Sequence, residues 1–328
     1  MGKERVLIIG AGLTGLMAFC SLRNQYDVQI FDKRSEESQP EHQAIMRLRN
    51  PEVGRILGIN LKEIIVEKEV LSSDGRLKKQ ASITDNNQYS KKLYNQIGYR
   101  SIGNLGTEKR WLLPSNYLND FNDIIHWDSE FKGFDQWLRS NIRYKDNSFF
   151  TAEPTDIIVS TVSMPFLLSN LPDFDLKDRE YNFPFQPITV TKFKLKEIIS
   201  EVYQTVYVPD PQYNTYRMSM QANEITMESI DEITQGERDK LLKFFGIHPS
   251  EAEFQSRHIQ KLGKIGLIDD VIRKTIILHL TEKYNIFSLG RYAIWKPIRS
   301  DAVIKDIAQI QKMLAIGKEK RKYECKIN

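Results

Sequence analysis

The sequence is poor in the residues that usually build metal and redox sites. Its 328 residues include two cysteines, Cys20 and Cys325, which have neither metal-ligand nor redox spacing. The five histidines also lack metal-ligand spacing to one another, so we expect no bound metal. No apolar stretch reaches the roughly eighteen residues that a membrane span needs, and no signal-peptide pattern precedes the first apolar run. These absences predict a cytoplasmic protein that does not enter a membrane.

Neither sign of charge dominates the chain. The net charge is +4 and charged residues make up 27% of the sequence. This mildly basic balance suits an anionic substrate but does not by itself indicate nucleic-acid binding. The length and the 41% share of hydrophobic residues allow a large core and about two domains.

A glycine-rich turn lies close to the amino terminus. An apolar run leads there into Gly10, Gly12 and Gly15. In a strand-turn-helix unit, Gly10 permits the tight turn, Gly12 lets a diphosphate approach the backbone, and Gly15 lets the helix pack on the strands. The start of the helix, with Leu13 and Thr14, then presents N–H groups and a partial positive charge to the phosphates. The spacing therefore predicts a dinucleotide-binding βαβ unit.

An acidic residue ends the next apolar run. Asp32 lies about twenty residues after the glycines and is followed by Lys33. A carboxylate at this position is expected to accept hydrogen bonds from both hydroxyls of an adenosine ribose, and its negative charge disfavours a 2′-phosphate. Asp32 and Lys33 are therefore predicted cofactor residues, and NADP is disfavoured as the ligand.

Two later apolar runs extend the predicted nucleotide-binding domain. A buried parallel strand is predicted within 155–165, and a strand that ends at Gly290 is predicted within 284–293. A carboxyl-terminal helix with Ser300 as its N-cap is predicted next. The predicted nucleotide-binding domain comprises residues 1–40, 150–172 and 284–328.

The remaining residues, 41–149 and 173–283, are predicted to form a substrate lobe. Alternating apolar and polar residues predict strands, and one segment that ends at Gly246 predicts a short helix. The strands are predicted within 186–196, 202–208 and 215–228, and the helix within 236–246. The predicted fold class is α/β, with a Rossmann-like nucleotide-binding domain and a lobe of mixed β-sheet plus helix.

Several of these segments resemble a known family. The stretches GAGLTGL, DIIVSTVSMP and SLGRYA, together with Asp32, are similar to the flavin-binding family that includes amine oxidases, phytoene desaturases and UDP-galactopyranose mutase. The resemblance implies that the first unit binds the ADP half of FAD, and that Gly290 and Arg291 lie against the pyrophosphate and ribityl chain. One departure is that the family's Gly-Gly-Arg after the ribose acid is replaced here by KRSEESQPEHQA. No flavinylation motif is evident, so we expect a non-covalent FAD.

A narrower resemblance covers most of the chain. Five stretches are similar to compact FAD-dependent proteins of bacteriophages: HQAIMRLRN, YSKKLYNQIGYRSI, VYQTVYVPDPQYNTYRMSM, KLGKIGLIDD and NIFSLGRYAIWKP. Some of those proteins are associated with thymine hypermodification, in which a flavin lyase acts on an amino-acid adduct of the base. The resemblance implies a host-cytoplasm location for a phage-encoded chain, and DNA as a partner through a modified base.

Candidate substrate residues come from the same stretches. Guanidinium groups suit phosphate or carboxylate recognition, and tyrosines suit the wall of a pocket. Arg47 and Arg49 alternate in a predicted strand and are expected to point to opposite faces. His42 is the candidate acid or base. The candidate substrate residues are Arg47, Arg49, Tyr89, Arg100, Tyr207, Tyr216, Arg217 and Trp295.

Three functions remain open from the sequence. The first is an FAD-dependent oxidoreductase or lyase that oxidises a C–N bond of an amine, such as a glycyl adduct of thymine that would give an aminomethyl base and glyoxylate. The second is a non-redox mutase of a nucleotide sugar, and the third is a non-catalytic dinucleotide-binding protein. The substrate is a small molecule or nucleotide in the first two, and the oligomeric state stays open.

Overall fold

The computed structural model describes residues 3–36, 46–135, 137–154, 156–174, 181–196 and 201–317. His42 and Cys325 lie outside these residues. The β-strands are β1 (Arg5–Ile9), β2 (Asp27–Phe31), β3 (Arg47–Leu48), β4 (Lys62–Leu71), β5 (Leu77–Lys78), β6 (Gly106–Leu112), β7 (Ile125–His126), β8 (Glu130–Phe134), β9 (Ser140–Arg143), β10 (Phe149–Thr151), β11 (Ile157–Ser160), β12 (Phe185–Leu195), β13 (Tyr203–Tyr207), β14 (Thr215–Gln221), β15 (Glu224–Ser229), β16 (Ala252–Ile265) and β17 (Ile286–Ser288). The α-helices are α1 (Leu13–Leu22), α2 (Glu52–Leu57), α3 (Ile83–Tyr94), α4 (Met164–Leu168), α5 (Gln235–Phe244), α6 (Asp270–Tyr284) and α7 (Val303–Ile316).

One sheet is parallel and carries the glycine turn. Its strand order is β17-β11-β1-β2-β7, and every neighbouring pair is parallel. The core strands β1 and β11 are continuous apolar runs because packed elements cover both of their faces. One face packs on α1 and α7, and the other packs on α4 and α6. The strand β2 is added on one side of β1 and β11 on the other, so the order of the strands reverses between β1 and β11, which is where open α/β sheets bind ligands.

The second large sheet is mixed. Its strand order is β16-β12-β15-β14-β13-β4-β6-β3, with β5 paired to β4. The pair β13–β4 is parallel and the other neighbours are antiparallel. Alternate side chains on these strands face two different layers: Val206 and Val208 pack with α5, whereas Tyr207 packs with Tyr89 of α3. A small antiparallel sheet, β8-β9-β10, lies beside the parallel sheet.

The predicted α/β fold class is confirmed. The first helix follows the glycine turn, the 155–165 run forms β11, and the 284–293 run forms β17. The segment 215–228 forms a hairpin of β14 and β15, and α5 ends before Gly246, which adopts the left-handed conformation (φ +70°) that glycine favours.

Two details differ from the sequence predictions. Ser300 is not the N-cap of the last helix, because it begins a short 3₁₀ turn, Ser300–Ala302, and α7 starts after Ala302 without a side-chain cap. The strand β7 lies within the predicted substrate segment 41–149 but extends the parallel sheet beside β2. The described part of the chain contains no helix that is both long and apolar enough to cross a membrane.

Candidate cofactor and substrate site

The glycine turn is packed too tightly for side chains at two of its three positions. Gly10 has φ +100°, and a Cβ atom there would lie 2.4 Å from the Oγ1 atom of Thr161. That hydroxyl donates to the backbone oxygens of Ile9 and Gly10, each at 3.0 Å, and so ties the ends of β1 and β11 together. A Cβ on Gly15 would lie 2.0 Å from the backbone oxygen of Gly10. These contacts explain why the turn requires glycine at both positions.

Gly12 has open space beside it among the described residues instead. A Cβ on Gly12 would meet no atom of those residues within 4 Å. Gly12 is the N-cap residue of α1, whose first turn has no capping side chain and no acidic residue. The positive end of the helix therefore faces a gap that a diphosphate can enter. Leu13 and Thr14 stand at this helix start, as predicted, and the arrangement fits the phosphates of a dinucleotide.

Asp32 lies at the end of β2, beside the turn, and its carboxylate is already hydrogen-bonded. Oδ2 accepts from the backbone N–H of Ala11 at 2.7 Å, and Arg34 donates to both carboxylate oxygens. Burial raises the pKa of Asp32, but the hydrogen bonds and the charge of Arg34 outweigh it and hold the pKa below its usual range. Ribose hydroxyls would therefore have to replace donors that come from Arg34. Lys33 lines a separate cavity of about 280 Å³ together with Arg143.

The late glycine predicted from the sequence touches the first helix. Gly290 has φ +86°, and a Cβ there would lie 2.9 Å from the Cγ2 atom of Thr14. The next residue, Arg291, is thereby held near the start of α1. Its Nε atom is buried and has no hydrogen-bond partner among the described residues. An orphaned buried donor beside an open helix start fits a site that is completed by a bound anion.

A cavity of about 770 Å³ lies on the face of the mixed sheet that carries Tyr207. Among the described residues, nine cationic side chains line it, against two acidic side chains, Glu228 and Asp301. The strands supply Arg47, Lys68, Arg110, Arg217 and Lys264. The segments around them supply Arg49, Arg100, Arg291 and Arg299. Four tyrosines also line the cavity: Tyr89, Tyr94, Tyr99 and Tyr207. This lining is suited to a substrate that carries several negative charges and has a flat part.

The acidic residue at the floor of the cavity is neutralised by its neighbours. Glu228 is buried, forms an ion pair with Arg217, and accepts a hydrogen bond from the Tyr216 hydroxyl at 3.0 Å. Burial raises the pKa of Glu228, but attraction to Arg217 and Lys264 outweighs it, so the pKa is lowered. Glu228 therefore stays ionised and is not available as a proton donor near neutral pH.

Two lysines of the cavity have depressed pKa values. Burial lowers the pKa of Lys264 to about 7, since the attraction of Glu228 is outweighed by burial and by neighbouring arginines. Burial also lowers the pKa of Lys68 to about 8, and the charge of Arg110 adds to this effect. Part of the Lys264 population is thus a neutral amine near pH 7, so this side chain can accept a proton there.

The cavity brings together most of the predicted substrate residues. The predicted substrate residues that line it are Arg47, Arg49, Tyr89, Arg100, Tyr207 and Arg217, and the predicted cofactor residue Arg291 lines it too. Tyr216 is fully buried beneath the floor, and Trp295 is fully buried in the core, edge-on to Phe183 at 5.1 Å. The predicted acid or base His42 lies outside the described residues.

The expectation that Arg47 and Arg49 point to opposite faces was wrong. Both line the cavity, since side chains two positions apart in an extended chain project to the same side. Arg47 is further held by hydrogen bonds to the Thr205 hydroxyl at 2.8 Å and to the backbone oxygen of Met220 at 2.6 Å. Burial lowers the pKa of Arg47 to about 10.

The sequence reasoning missed six charged residues of the cavity, Lys68, Arg110, Glu228, Lys264, Arg299 and Asp301, and two tyrosines, Tyr94 and Tyr99. A signal existed for Lys68, because Ile64, Val66 and Val70 form an apolar stripe on β4 that this lysine interrupts. A charged residue in a buried stripe is a candidate for function or for ion pairing. Arg299 carries no such local pattern and is recognised only by its position over the cavity.

Comparisons with known proteins identify the fold. No protein-family model matches the chain, and no curated protein matches its sequence. Among solved structures, the reduced form of UDP-galactopyranose mutase superposes with a TM-score of 0.68 at 12% identity, covering 96% of each chain. A fatty acid isomerase from P. acnes that produces conjugated linoleic acid (CLA) gives a TM-score of 0.62 at 15% identity, covering 94% of this chain and 98% of the isomerase.

A proposed FAD-containing monooxygenase from Photorhabdus luminescens gives a TM-score of 0.56 at 12% identity, covering 96% of this chain and 90% of that chain. At these identities the likeness concerns the fold. The chain therefore has the architecture of these proteins over nearly its whole length, with a parallel sheet and a mixed sheet beside it.

Proposed function

We propose that this protein is an FAD-dependent enzyme that oxidises a C–N bond of an anionic amine, such as an amino-acid-modified nucleotide. The glycine turn, the open start of α1 and the orphaned Arg291 donor support a dinucleotide cofactor. The fold shared with solved structures that include an FAD-containing protein supports FAD as that dinucleotide. The sequence resemblance to amine oxidases supports the reaction type.

The positive charge of the cavity is the observation that supports an anionic amine as the substrate. Nine cationic side chains against two acidic ones repel an alkylammonium ion, and Glu228 is already paired with Arg217. An amine can enter such a cavity when carboxylate or phosphate groups outweigh its positive charge. A glycyl-modified thymine nucleotide meets this condition, because it has a carboxylate at one end and a phosphate at the other.

The residues of the chain prepare the substrate for oxidation. Bound FAD supplies the acceptor for a hydride from the carbon beside the amine, and water then cleaves the resulting imine into the shortened amine and glyoxylate. The arginines hold the anionic groups, and Lys264 accepts the proton that the substrate ammonium must lose before hydride transfer. The tyrosines Tyr89 and Tyr207, edge-on at 5.7 Å, form a wall for the flat base.

The size of the cavity favours a mononucleotide or a single extruded base over duplex DNA. A volume of about 770 Å³ holds one nucleotide, so a base in DNA would have to leave the stack to reach it. Turnover on a modified mononucleotide is therefore expected to exceed turnover on the modified polymer.

The test is anaerobic reduction of the flavin. The flavin-loaded protein is mixed without oxygen or NADH with the 5′-phosphate of 5-(carboxymethylaminomethyl)deoxyuridine, and the visible flavin absorbance and glyoxylate are followed. We expect bleaching with one glyoxylate per flavin. The variant Arg100→Gln should bleach more slowly, whereas Lys109→Gln, which removes a charge from the opposite face of β6, should not. Failure of every anionic amine to bleach the flavin would refute the proposal.

A second candidate is a non-redox mutase of a nucleotide sugar. The cavity has more cations than one carboxylate and one phosphate require. This excess also suits the two phosphates of a nucleoside diphosphate. This function predicts sugar isomerisation only after chemical reduction of the flavin. Isomerisation by the fully oxidised protein would exclude it.

A further inference from the structure

We propose that Arg34 competes with the ribose hydroxyls of the dinucleotide for the carboxylate of Asp32, and so limits the affinity that the ribose contributes. The presence of a dinucleotide at this place rests on the proposed function. The competition itself rests on the hydrogen bonds that Asp32 accepts within the protein. It makes Arg34 the residue that sets how strongly the site distinguishes a ribose from a sugar without hydroxyls.

The hydrogen bonds of Asp32 already use all four acceptor positions of its carboxylate. A carboxylate accepts about four hydrogen bonds, two at each oxygen. Oδ1 accepts from the backbone N–H of Arg34 at 2.9 Å and from its Nε atom at 2.8 Å. Oδ2 accepts from the backbone N–H of Ala11 at 2.7 Å and from the Nη2 atom of Arg34 at 2.7 Å. A ribose hydroxyl can therefore bind Asp32 only in place of one of these donors.

Two of the four donors belong to the Arg34 side chain, and these are the two that can leave. The backbone donors are fixed with the glycine turn, whose Gly10 N–H donates to the backbone oxygen of Phe31 at 2.8 Å. The guanidinium stands on a flexible stem and gives one hydrogen bond to each carboxylate oxygen. Its departure frees one acceptor position on each oxygen, which matches the two adjacent hydroxyls of a ribose.

The contact that the ribose must displace is a stable one. The Arg34 side chain is 25% exposed and that of Asp32 is 8% exposed, so water screens their ion pair weakly. The guanidinium carbon of Arg34 also lies 5.7 Å from the centre of the Trp127 ring. The neighbouring cation is directed elsewhere, since the Lys33 Nζ atom lies over the Phe166 ring at 5.6 Å. Exchange of two charged hydrogen bonds for two others therefore adds little to the affinity of a dinucleotide.

Two probes measure the contribution of the hydroxyls: ADP and 2′,3′-dideoxy-ADP. Both carry the same base and diphosphate, so the ratio of their dissociation constants isolates the ribose hydroxyls. Calorimetric titration of the flavin-free protein gives this ratio, and pH 8 keeps the Asp32 carboxylate ionised. A change of charge near the diphosphate alters both dissociation constants alike and cancels in the ratio.

Two variants weaken the competition, and a third is the control. Arg34→Met removes both side-chain donors, and because it leaves a buried carboxylate without its counter-charge, it destabilises the fold. Arg34→Lys keeps the charge but offers one nitrogen in place of two, so it decides the test if Arg34→Met does not fold. Arg5→Met is the matched control. Arg5 begins β1, at the end away from the glycine turn, and pairs with Asp156 at side-chain exposures of 30% and 9%.

We expect the two probes to bind the wild type with dissociation constants within about threefold of each other. In Arg34→Met, ADP should bind about tenfold more tightly than the dideoxy probe, which corresponds to about one charged hydrogen bond. The ratio in Arg34→Lys should fall between these values. The ratio in Arg5→Met should equal that of the wild type.

A wild-type ratio that already reaches about tenfold would overturn the inference. A ratio that stays at the wild-type value in both Arg34 variants would also overturn it. The proposed function fails in a different way. If neither probe binds the wild type or any variant, the dinucleotide site itself is refuted. If the ratios change as expected but no anionic amine bleaches the flavin, the oxidation is refuted and the competition at Asp32 stands.

Discussion

Replacing Gly290 by alanine tests the contact that joins the late segment to the first helix. The glycine has φ +86°, and a Cβ there would lie 2.9 Å from Cγ2 and 3.1 Å from Oγ1 of Thr14. Gly58, at the end of α2, has a similar φ of +71°, but no atom of the described chain lies within 4 Å of the position of a Cβ there. Gly58→Ala therefore introduces the backbone strain alone, and Gly290→Ala introduces the strain and the overlap.

The expected magnitudes differ accordingly. The left-handed conformation costs an alanine about 1–2 kcal/mol, of which about 0.4–1 kcal/mol is offset because alanine restricts the unfolded chain. Gly58→Ala should thus cost roughly 1 kcal/mol. Overlap in a packed site adds about 1–3 kcal/mol, so Gly290→Ala should cost roughly 2–4 kcal/mol. At about 2 °C per kcal/mol, the melting temperature should fall by roughly 2 °C for Gly58→Ala and by roughly 4–8 °C for Gly290→Ala.

Thermal unfolding of the flavin-free protein measures both effects, and the visible absorbance of the purified protein reports the bound flavin. Gly290→Ala should also lower the flavin content, since it pushes the late segment away from α1. Thr14→Ala removes the two nearest atoms, so the double variant should recover about half of the loss of Gly290→Ala. Equal losses for Gly290→Ala and Gly58→Ala, or no recovery in the double variant, would refute the close approach.

Three further predictions follow from the charged and buried groups. The 5′-phosphate of 5-(carboxymethylaminomethyl)deoxyuridine should bind more tightly as the pH falls through about 7, because Lys264 becomes protonated there; a pH dependence that persists in Lys264→Met would contradict this. Glu228→Gln should destabilise the protein by about 3–5 kcal/mol in chemical denaturation, since it leaves the Arg217 charge uncompensated, and a loss below about 1 kcal/mol would argue against a buried ion pair. Lys92→Met should cost roughly 2–4 kcal/mol because the Nζ atom donates to three backbone carbonyls; a melting temperature within about 2 °C of the wild type would show that these bonds contribute little.

The βαβ unit with the glycine turn could be predicted because its signal is local. Gly10, Gly12 and Gly15 lie within six residues, and a Cβ on Gly15 would overlap the backbone oxygen of Gly10 inside the turn, whereas the contact of Gly10 with Thr161 is made only in the folded chain. The strands and helices around them follow from apolar periodicity, which also depends on near neighbours in the chain. Local patterns were misleading at Ser300. Serine is a common N-cap residue, but here the chain makes the 3₁₀ turn Ser300–Ala302 before the last helix begins.

The sequence by itself determined the α/β class, the glycine turn, Asp32 at the end of β2 and the late glycine segment. The tertiary structure alone decided which charged side chains share a cavity. Lys68, Arg217 and Lys264 are far apart in the chain, and the strand order brings them to one face of the mixed sheet. The physical reason is that a positive charge in the sequence is most often solvated at the surface. Several such charges indicate a ligand when the fold collects them around one cavity with too few acids to neutralise them.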